Sequence, residues 1–278
     1  MANQAEASSI ARYLYAIVPS TGIDGVPLVI DVPGLDGTAL SMVTYRDIGI
    51  ITHACPPHLY EGDVAQVHAR VLAQHQVISA AHSLAGTILP IRFNSIVTPT
   101  AEQPAVELLV AWLAREHDEI VTRLDGLRNR VELGVQVISV PPPTEAAATG
   151  AEAPRGRDYF KAQLAQRKEK ERARATEALT AQAIFDHLAE LSDRVVINSK
   201  RPQREGTPTA VDEVPGGRLQ LDVALLVEPD KVSEVGRYLG ELETTPGLHV
   251  RFTGPWAPYA FAGALGLPLL VTDNPAVD

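Results

Sequence analysis

The stretch RLQLDVALLVEPDKVSEVGRYLGELETTPGLHVRFT, residues 218–253, decides the fold of the second half of the chain. Residues 218–227 are rich in Val and Leu and contain no Gly or Pro, which is typical of a strand. Pro229 suits the first turn of a helix, and Val232, Val235 and Leu239 give that helix one apolar face. Residues 248–253 then predict a second strand. This half of the chain therefore ends in a strand–helix–strand unit.

Upstream of this unit, the pattern predicts one further strand, a long helix and a short strand. The alternating segment VELGVQVISV predicts the strand, and a proline-rich stretch without large apolar residues follows as a loop. The order strand–helix–strand–strand–helix–strand is that of a ferredoxin-like domain, in which two helices cover one face of an antiparallel sheet. The predicted ranges are 131–140 for the strand, 141–156 for the loop, 157–191 for the long helix, 194–198 for the short strand and 202–217 for a polar loop.

The first 127 residues predict a different order of elements, namely three or four strands, a helix, a strand and a second helix. Gly86 ends the first helix, and Pro90 favours an edge or a bulge in the strand after it. The predicted strands are 12–18, 39–45, 48–54 and 87–93, and the helices are 63–85 and 104–126. We therefore predict an α+β protein with two domains, an N-terminal α+β domain (8–127) and a ferredoxin-like C-terminal domain (128–278).

The composition excludes several classes of protein. The chain has 278 residues and a formal net charge of −10, which disfavours binding to the phosphates of nucleic acids. A single cysteine, Cys55, excludes an internal disulfide framework and fits a reducing compartment. We read no signal peptide at the N-terminus, and no apolar run approaches the length of a membrane span. These features predict a cytoplasmic protein without a membrane span.

Only one segment groups residues that commonly bind metals, namely His53-Ala-Cys55-Pro-Pro-His58. A closed zinc site needs four ligands, and the sequence offers no second pair at suitable spacing. We interpret the segment as a strand end with a buried thiol, while a metal-assisted enzyme stays an alternative that metal analysis would test. No GxSxG motif is present. We therefore predict no catalytic residue, no metal site and no cofactor.

The segment GPWAPYAF, residues 254–261, concentrates aromatic side chains in a stiff corner. Two prolines fix φ, the glycine permits a tight bend, and Trp256, Tyr259 and Phe261 follow at short intervals. Such a corner could lock the C-terminal tail against a domain, or it could anchor a partner protein. The two interpretations are not exclusive, and both stay open at this point.

Several segments together resemble the GvpL/GvpF family of gas vesicle proteins. The most specific is the GPWAPYAF corner. The others, in chain order, are YLY (13–15), LPIRFNSIV (89–97), VELGVQV (131–137), GRDYFKAQLAQRKE (156–169) and DVALLVEPDKVSEV (222–235). The family commonly has Gly-Thr after Arg-Phe, where this chain has Asn94-Ser95. The resemblance spans nearly the whole chain.

The resemblance implies an accessory or minor structural protein of gas vesicles, which are hollow protein-walled compartments that give cells buoyancy. It also implies an α+β domain followed by a modified ferredoxin-like domain, a cytoplasmic location at the vesicle, and a role in assembly. The implied partners are the hydrophobic shell protein GvpA and other gas vesicle accessory proteins. Our candidate residues for partner binding or domain locking are Arg92, Phe93, Trp256, Tyr259 and Phe261. The alternative function is a ferredoxin-like module that senses a small ligand.

Overall fold

The computed structural model describes residues 10–140, 157–198, 214 and 216–269, which form two compact units. The first unit contains the described residues up to Val131 and those from Trp256 onward, and the second runs from Glu132 to Pro255. The segment after Pro255, which we expected in the second domain, therefore belongs with the first unit. Burial explains this grouping, because Ala257 is 2% exposed and is part of the hydrophobic core of that unit.

The first unit is built around a five-stranded antiparallel sheet. The strands are β1 (Ala11–Pro19), β2 (Ser41–Tyr45), β3 (Ile48–Cys55), β4 (Leu89–Pro90) and β5 (Ile96–Val97). The path through the sheet is β2-β3-β1-β4, and β5 also pairs with β1. Strand β1 is therefore central, and its register with β3 shifts between Leu14 and Ala16.

The strand is shorter than the predicted range 87–93, because only Leu89 and Pro90 of this range pair with β1. Pro90 lies opposite Ala16 on a strand that ends the sheet path, where a residue without a backbone N–H is tolerated. Asn94 then has a φ of 64°, which turns the chain out of the extended conformation before β5 begins.

Two helices cover the sheet of the first unit. Helix α1 (Val64–Ala85) packs on β1, and helix α2 (Ala105–Gly126) packs on β1, β2 and β3. Since consecutive residues of β1 from Tyr13 to Val18 are all fully buried, both faces of this strand are covered. The core of the first unit therefore lies on both sides of β1.

Helix α1 has the predicted limits, but only its C-terminal half is buried. Asp63 caps its N-terminus, and Gly86 ends it with a φ of 68°. Val64 is 84% exposed, and the buried residues begin only at Gln74 and include Ile78 and Ala85. The first turns of the helix therefore extend beyond the surface that the sheet covers.

The second unit is ferredoxin-like. Its elements are β6 (Val131–Ser139), α3 (Arg157–Glu190), β7 (Arg194–Ile197), β8 (Arg218–Val227), α4 (Val232–Glu243) and β9 (Leu248–Trp256). The strand path is β7-β8-β6-β9, so β6 and β8 are central, and β7 pairs antiparallel with β8. Helices α3 and α4 are the two crossover elements of the βαββαβ order.

Helix α3 is buried only near its C-terminus. Ile184 and Leu188 are at most 3% exposed, whereas Leu164, an apolar residue near the start of the helix, is 58% exposed. An i,i+4 ion pair joins Arg167 to Glu171 at 3.1 Å on its solvated part. The predicted loop 141–156, most of the predicted loop 202–217 and the side chains of Tyr159 and Phe160 lie outside the described residues. Within the described ranges, no helix is long and apolar enough to cross a membrane.

Candidate functional site

An aromatic corner, formed by Trp256 and Tyr259 against His75, lies on the surface of the first unit. The indole ring of Trp256 meets the imidazole of His75 edge-on, with 5.0 Å between ring centroids. Tyr259 stacks on the same imidazole at 6.4 Å. Both aromatic side chains keep a large exposed fraction, 41% for Trp256 and 36% for Tyr259. The corner therefore presents apolar ring surface to solvent from a fixed position.

Neighbouring residues of the corner anchor it in the protein. Ala257 and Phe261 are 2% and 6% exposed, so they belong to the interior. The amide of Tyr259 donates to the carbonyl of Ala257 at 2.8 Å, and the amide of Phe261 donates to that of Pro258 at 3.3 Å. The burial of Phe261 favours the locking interpretation for this residue, and the exposure of Trp256 and Tyr259 leaves them accessible to a partner.

Arg92 and Phe93, the other candidate residues, lie beside the same turn of α1. The carboxamide of Gln74 donates to the carbonyl of Ile91 at 2.8 Å, and the next residue, His75, carries the aromatic corner. Arg92 is exposed, whereas Phe93 is half-buried against the core. One helical turn thus contacts both candidate segments.

Buried polar side chains form a hydrogen-bonded network inside the first unit, next to the 89–97 segment. The amide of Leu35 donates to the hydroxyl of Tyr15, which lies 2.8 Å from Nδ1 of His53. Nε2 of His53 lies 2.8 Å from the hydroxyl of Tyr60. All four groups are satisfied when Tyr15 donates to Nδ1 and a neutral His53 donates from Nε2 to Tyr60.

A second chain of hydrogen bonds runs parallel to the first. The amide of Asn94 donates to the hydroxyl of Tyr13 at 3.1 Å, and that hydroxyl donates to Oε1 of Gln74 at 2.6 Å. The side chain of Asn94 also accepts from the amide of Tyr60 and donates to its carbonyl, at 2.9 and 3.1 Å. The network therefore ties the 89–97 segment to β1, to α1 and to the loop before α1.

Burial shifts the pKa values of these groups away from neutral pH, which suits a structural role better than acid–base chemistry. Desolvation lowers the pKa of His53 to about 4, so its imidazole is neutral. Desolvation also raises the pKa of the Cys55 thiol to about 11, so it is not a thiolate nucleophile. The pKa values of Tyr13 and Tyr15 are raised for the same reason.

The structure does not bring His53, Cys55 and His58 together as a metal site. Both ring nitrogens of His53 already face tyrosine hydroxyls, and His58 is exposed with Nδ1 beside the carbonyl of Leu59 at 3.1 Å. Over the described part of the chain, no group of three or more His, Cys, Asp or Glu residues is arranged to hold a metal ion.

Sequence reasoning missed the contribution of α1 to this site. His75 supports both exposed aromatic rings, and Leu72, one turn before it, is 49% exposed on the same stripe of the helix. The spacing of Leu72 and His75 was visible in the sequence. The contact between His75 and Trp256 was not visible, because about 180 residues separate the two along the chain.

The family model described as "Gas vesicle synthesis protein GvpL/GvpF" matches residues 11–263, which include every element of both units. The chain belongs to the GvpL/GvpF family. The resemblance inferred from the motifs is thereby confirmed. The position that departs from the family pattern also has a simple explanation, because Asn94 has the positive φ that a glycine adopts readily.

Relatives with known names agree with this assignment. The chain is 27% identical to gas vesicle protein L2 of Halobacterium salinarum, over 96% of this chain and 95% of that protein. It is 28% identical to gas vesicle protein L of a Streptomyces species, over 91% of this chain and 92% of that protein. This GvpL/GvpF chain is therefore similar to these two relatives along almost their full length.

Two solved structures share its fold. The crystal structure of GvpF from Anabaena matches with a TM-score of 0.65 at 18% identity, covering 92% of this chain and 97% of that one. The structure of GvpF from Microcystis aeruginosa matches with a TM-score of 0.60 at 15% identity, covering 91% and 99%. The predicted fold class, an α+β domain with a ferredoxin-like domain, is confirmed.

Proposed function

We propose that this GvpL/GvpF protein is an accessory protein of gas vesicles that binds the hydrophobic shell protein GvpA and supports assembly without catalysing a reaction. The observation that carries the proposal is the aromatic corner, in which Trp256 and Tyr259 are 41% and 36% exposed on a fixed base. Trp and Tyr dominate the binding energy of many protein interfaces, because each buries a large apolar area.

The rigidity of the corner supports its role as an anchor. Ala257 and Phe261 are buried on either side of Tyr259, and His75 holds both exposed rings from α1. A surface that is already ordered loses little conformational entropy when it binds, so more of the burial energy appears as affinity. A very apolar subunit needs such cover before it joins the shell.

Arg92 supplies the second part of the proposed surface. Leu89 and Ile91 are at most 3% exposed, and the amide of Ile91 donates to the carbonyl of Tyr15 at 2.9 Å. Leu89 and Ile91 are therefore buried in the first unit and are not accessible to a partner protein. The exposed Arg92 side chain is the group of this segment that a partner could contact. Its neighbour Phe93 is half-buried and packs against the core.

The proposed location follows from the proposed partner. A protein that covers GvpA before or during assembly acts in the cytoplasm at the growing vesicle, together with other gas vesicle accessory proteins. The neutral His53 and the undissociated Cys55 thiol support a role without catalysis.

Capture of GvpA by immobilised protein tests the proposal. We expect Trp256→Ala to reduce capture by about tenfold or more, because truncation of an aromatic anchor costs roughly 2 kcal/mol. We expect Arg92→Ala to reduce it less. Phe252→Ala is the matched control, because Phe252 has a similar exposed fraction, 38%, but lies outside the corner.

Unchanged capture by folded Trp256→Ala and Arg92→Ala proteins would remove both sites from the proposal. Vesicles of normal number and shape in cells that lack the protein would overturn the assembly role itself. The ligand-sensing alternative predicts a different result, namely specific stabilisation by a small metabolite in a thermal-shift screen.

A further inference from the structure

The residues after Phe261 cross helix α2 as a strap, which we define as residues 262–269. Nη1 of Arg123 donates to the carbonyl of Ala264 at 2.7 Å and to that of Ala262 at 3.3 Å. The indole Nε1 of Trp112 donates to the carbonyl of Gly266 at 3.0 Å. Two side chains of α2, 11 residues apart in the sequence, thus hold the backbone of the strap.

Apart from Ala262, which is 4% exposed, the strap buries little surface. Gly263, Ala264, Gly266 and Leu269 are exposed, although the sequence AGALGLPL is apolar. By contrast, Trp112 and Ile120 beneath it are each 2% exposed. The strap is therefore held chiefly by hydrogen bonds to its carbonyls. The side chains of α2 that it shields from solvent are Trp112 and Ile120.

The strap does not fill the groove that it occupies. A cleft of about 220 Å³ lies between it and α2, lined by Trp112, Ile120 and the aliphatic part of the strap at Leu265. Glu116 and Glu119 border the same cleft, and Glu119 pairs with Arg123. The groove thus combines an apolar floor with two donors for carbonyl groups and an acidic border.

Backbone conformation makes the strap dependent on glycine. Gly266 has a φ of 57°, a region that β-branched residues rarely adopt. A Cβ atom at this position would meet no atom within 4 Å, so a substitution there strains the strap without touching the groove. Gly263 also has a positive φ, 71°, but a Cβ atom there would approach Nη1 of Arg123 to 3.2 Å.

We propose that the strap is exchangeable, and that the groove of α2 beneath it binds a short apolar, glycine-containing segment of a partner protein. Such a segment presents backbone carbonyls to Arg123 and Trp112 and small side chains to the apolar floor, as the strap does in cis. The acidic border disfavours partner segments that carry Asp or Glu. While the strap is bound it competes with the partner, because a tethered segment acts at a high effective concentration. This site is separate from the aromatic corner and does not depend on its function.

Binding of a labelled peptide to the full-length protein tests the proposal. The probe is AFAGALGLPL, the sequence of residues 260–269, measured by fluorescence anisotropy. We expect Gly266→Val to release the strap and to bind the peptide about tenfold or more tightly than the unchanged protein, since the competitor in cis is lost. Gly266→Asn is the matched control, because Asn tolerates a positive φ and should leave peptide binding weak.

Two further measurements connect the binding to the groove. Adding Arg123→Gln to Gly266→Val should abolish most of the gain, whereas adding Arg115→Gln, on the same helix but paired with Glu116, should not. Exchange of the indole N–H of Trp112, which donates to the carbonyl of Gly266 in the strap, should accelerate in Gly266→Val and stay slow in Gly266→Asn. A released strap without peptide binding would overturn the proposal, and so would an indole N–H that stays protected in Gly266→Val.

Discussion

The position of Asn94 requires both a positive φ and a side chain that forms two hydrogen bonds. Its φ of 64° suits glycine or asparagine, and its side chain bonds both the amide and the carbonyl of Tyr60. Glycine would satisfy only the first requirement. Asparagine satisfies both, which explains how this chain accommodates a departure from the family pattern.

Substitutions at Asn94 should therefore separate the two requirements. We expect Asn94→Gly to lower the free energy of unfolding by about 1 kcal/mol through the lost side-chain hydrogen bonds. Asn94→Val should lower it by roughly 1–2 kcal/mol more, because a β-branched residue is strained at this φ. Thermal melting of the purified variants measures the ranking. Equal melting temperatures for the Gly and Val variants would contradict the backbone argument.

His53 should make the stability of the first unit depend on pH. Burial lowers its pKa in the folded protein to about 4, from an ordinary value of 6.5. The unfolded chain therefore binds the proton first as the pH falls, so the folded state loses stability below about pH 6.5. Between about pH 7 and pH 4.5 we expect a loss of about 2 kcal/mol from this group.

Comparison with His53→Gln isolates this contribution from that of the carboxylates. The free energy of unfolding of the variant should fall less steeply over the same pH range, although it is lower at neutral pH because the network is broken. His68→Gln is the control, because His68 is exposed on α1. Parallel pH profiles for the unchanged protein and His53→Gln would show that another group is responsible.

The sequence suggested the roles of some residues but not of others. Trp256 and Tyr259 stood out because aromatic residues are rare in this chain and these two lie beside prolines, and their role in partner binding stays a prediction. The environment of His53 was not recognisable, since its partners Tyr15 and Tyr60 come from separate segments and only the folded sheet brings them together. A titratable residue acquires its character from such long-range neighbours.

At the level of elements, the N-terminus of α1 shows how local signals set a helix boundary. Oδ1 of Asp63 accepts from the amide of Gln66 at 2.8 Å, and Oε1 of Gln66 accepts from the amide of Asp63 at 3.1 Å. This reciprocal pair is a capping box. It compensates for the exposed first turns of the helix, where Val64 has no cover.

Removal of the cap should loosen the start of α1. We expect Asp63→Ala to cost about 1 kcal/mol of local helix stability. Hydrogen exchange at the amides of residues 64–67 should accelerate, while the buried turns from Gln74 onward keep their protection. Asp63→Asn preserves the acceptor and serves as the control. Faster exchange along the whole helix would mean that the cap stabilises the entire element.

Element prediction succeeded where the signal is local and failed where pairing decides. Gly86 and the run of strand formers in β1 identified their elements correctly. The segment 87–93 has strand composition, but only Leu89 and Pro90 of it pair with β1. Asn94 then turns the chain, and pairing with β1 resumes at β5. The burial of Trp112 on α2 was also missed, since the strap that bonds its indole is 154 residues away in the sequence.

For the whole molecule, the important feature is that the first unit is built from two separate parts of the chain. Truncation after Pro255 should therefore weaken the N-terminal unit, because it removes the buried Ala257 and Phe261 and frees Trp112 and Arg123. We expect faster hydrogen exchange in α2 around these two residues. A second truncation after Leu269 provides the comparison, so that the difference between the two reports on residues 256–269 alone. Equal protection in both truncated proteins would contradict this dependence.

The two-part construction also sets an order of events during synthesis. Translation delivers the sheet, α1 and α2 early, but the residues that complete their unit leave the ribosome only after the ferredoxin-like unit has been made. The nascent chain accordingly carries an unfinished N-terminal unit for roughly half of its synthesis. Any partner that docks on Trp256 must wait until the ferredoxin-like unit has been made.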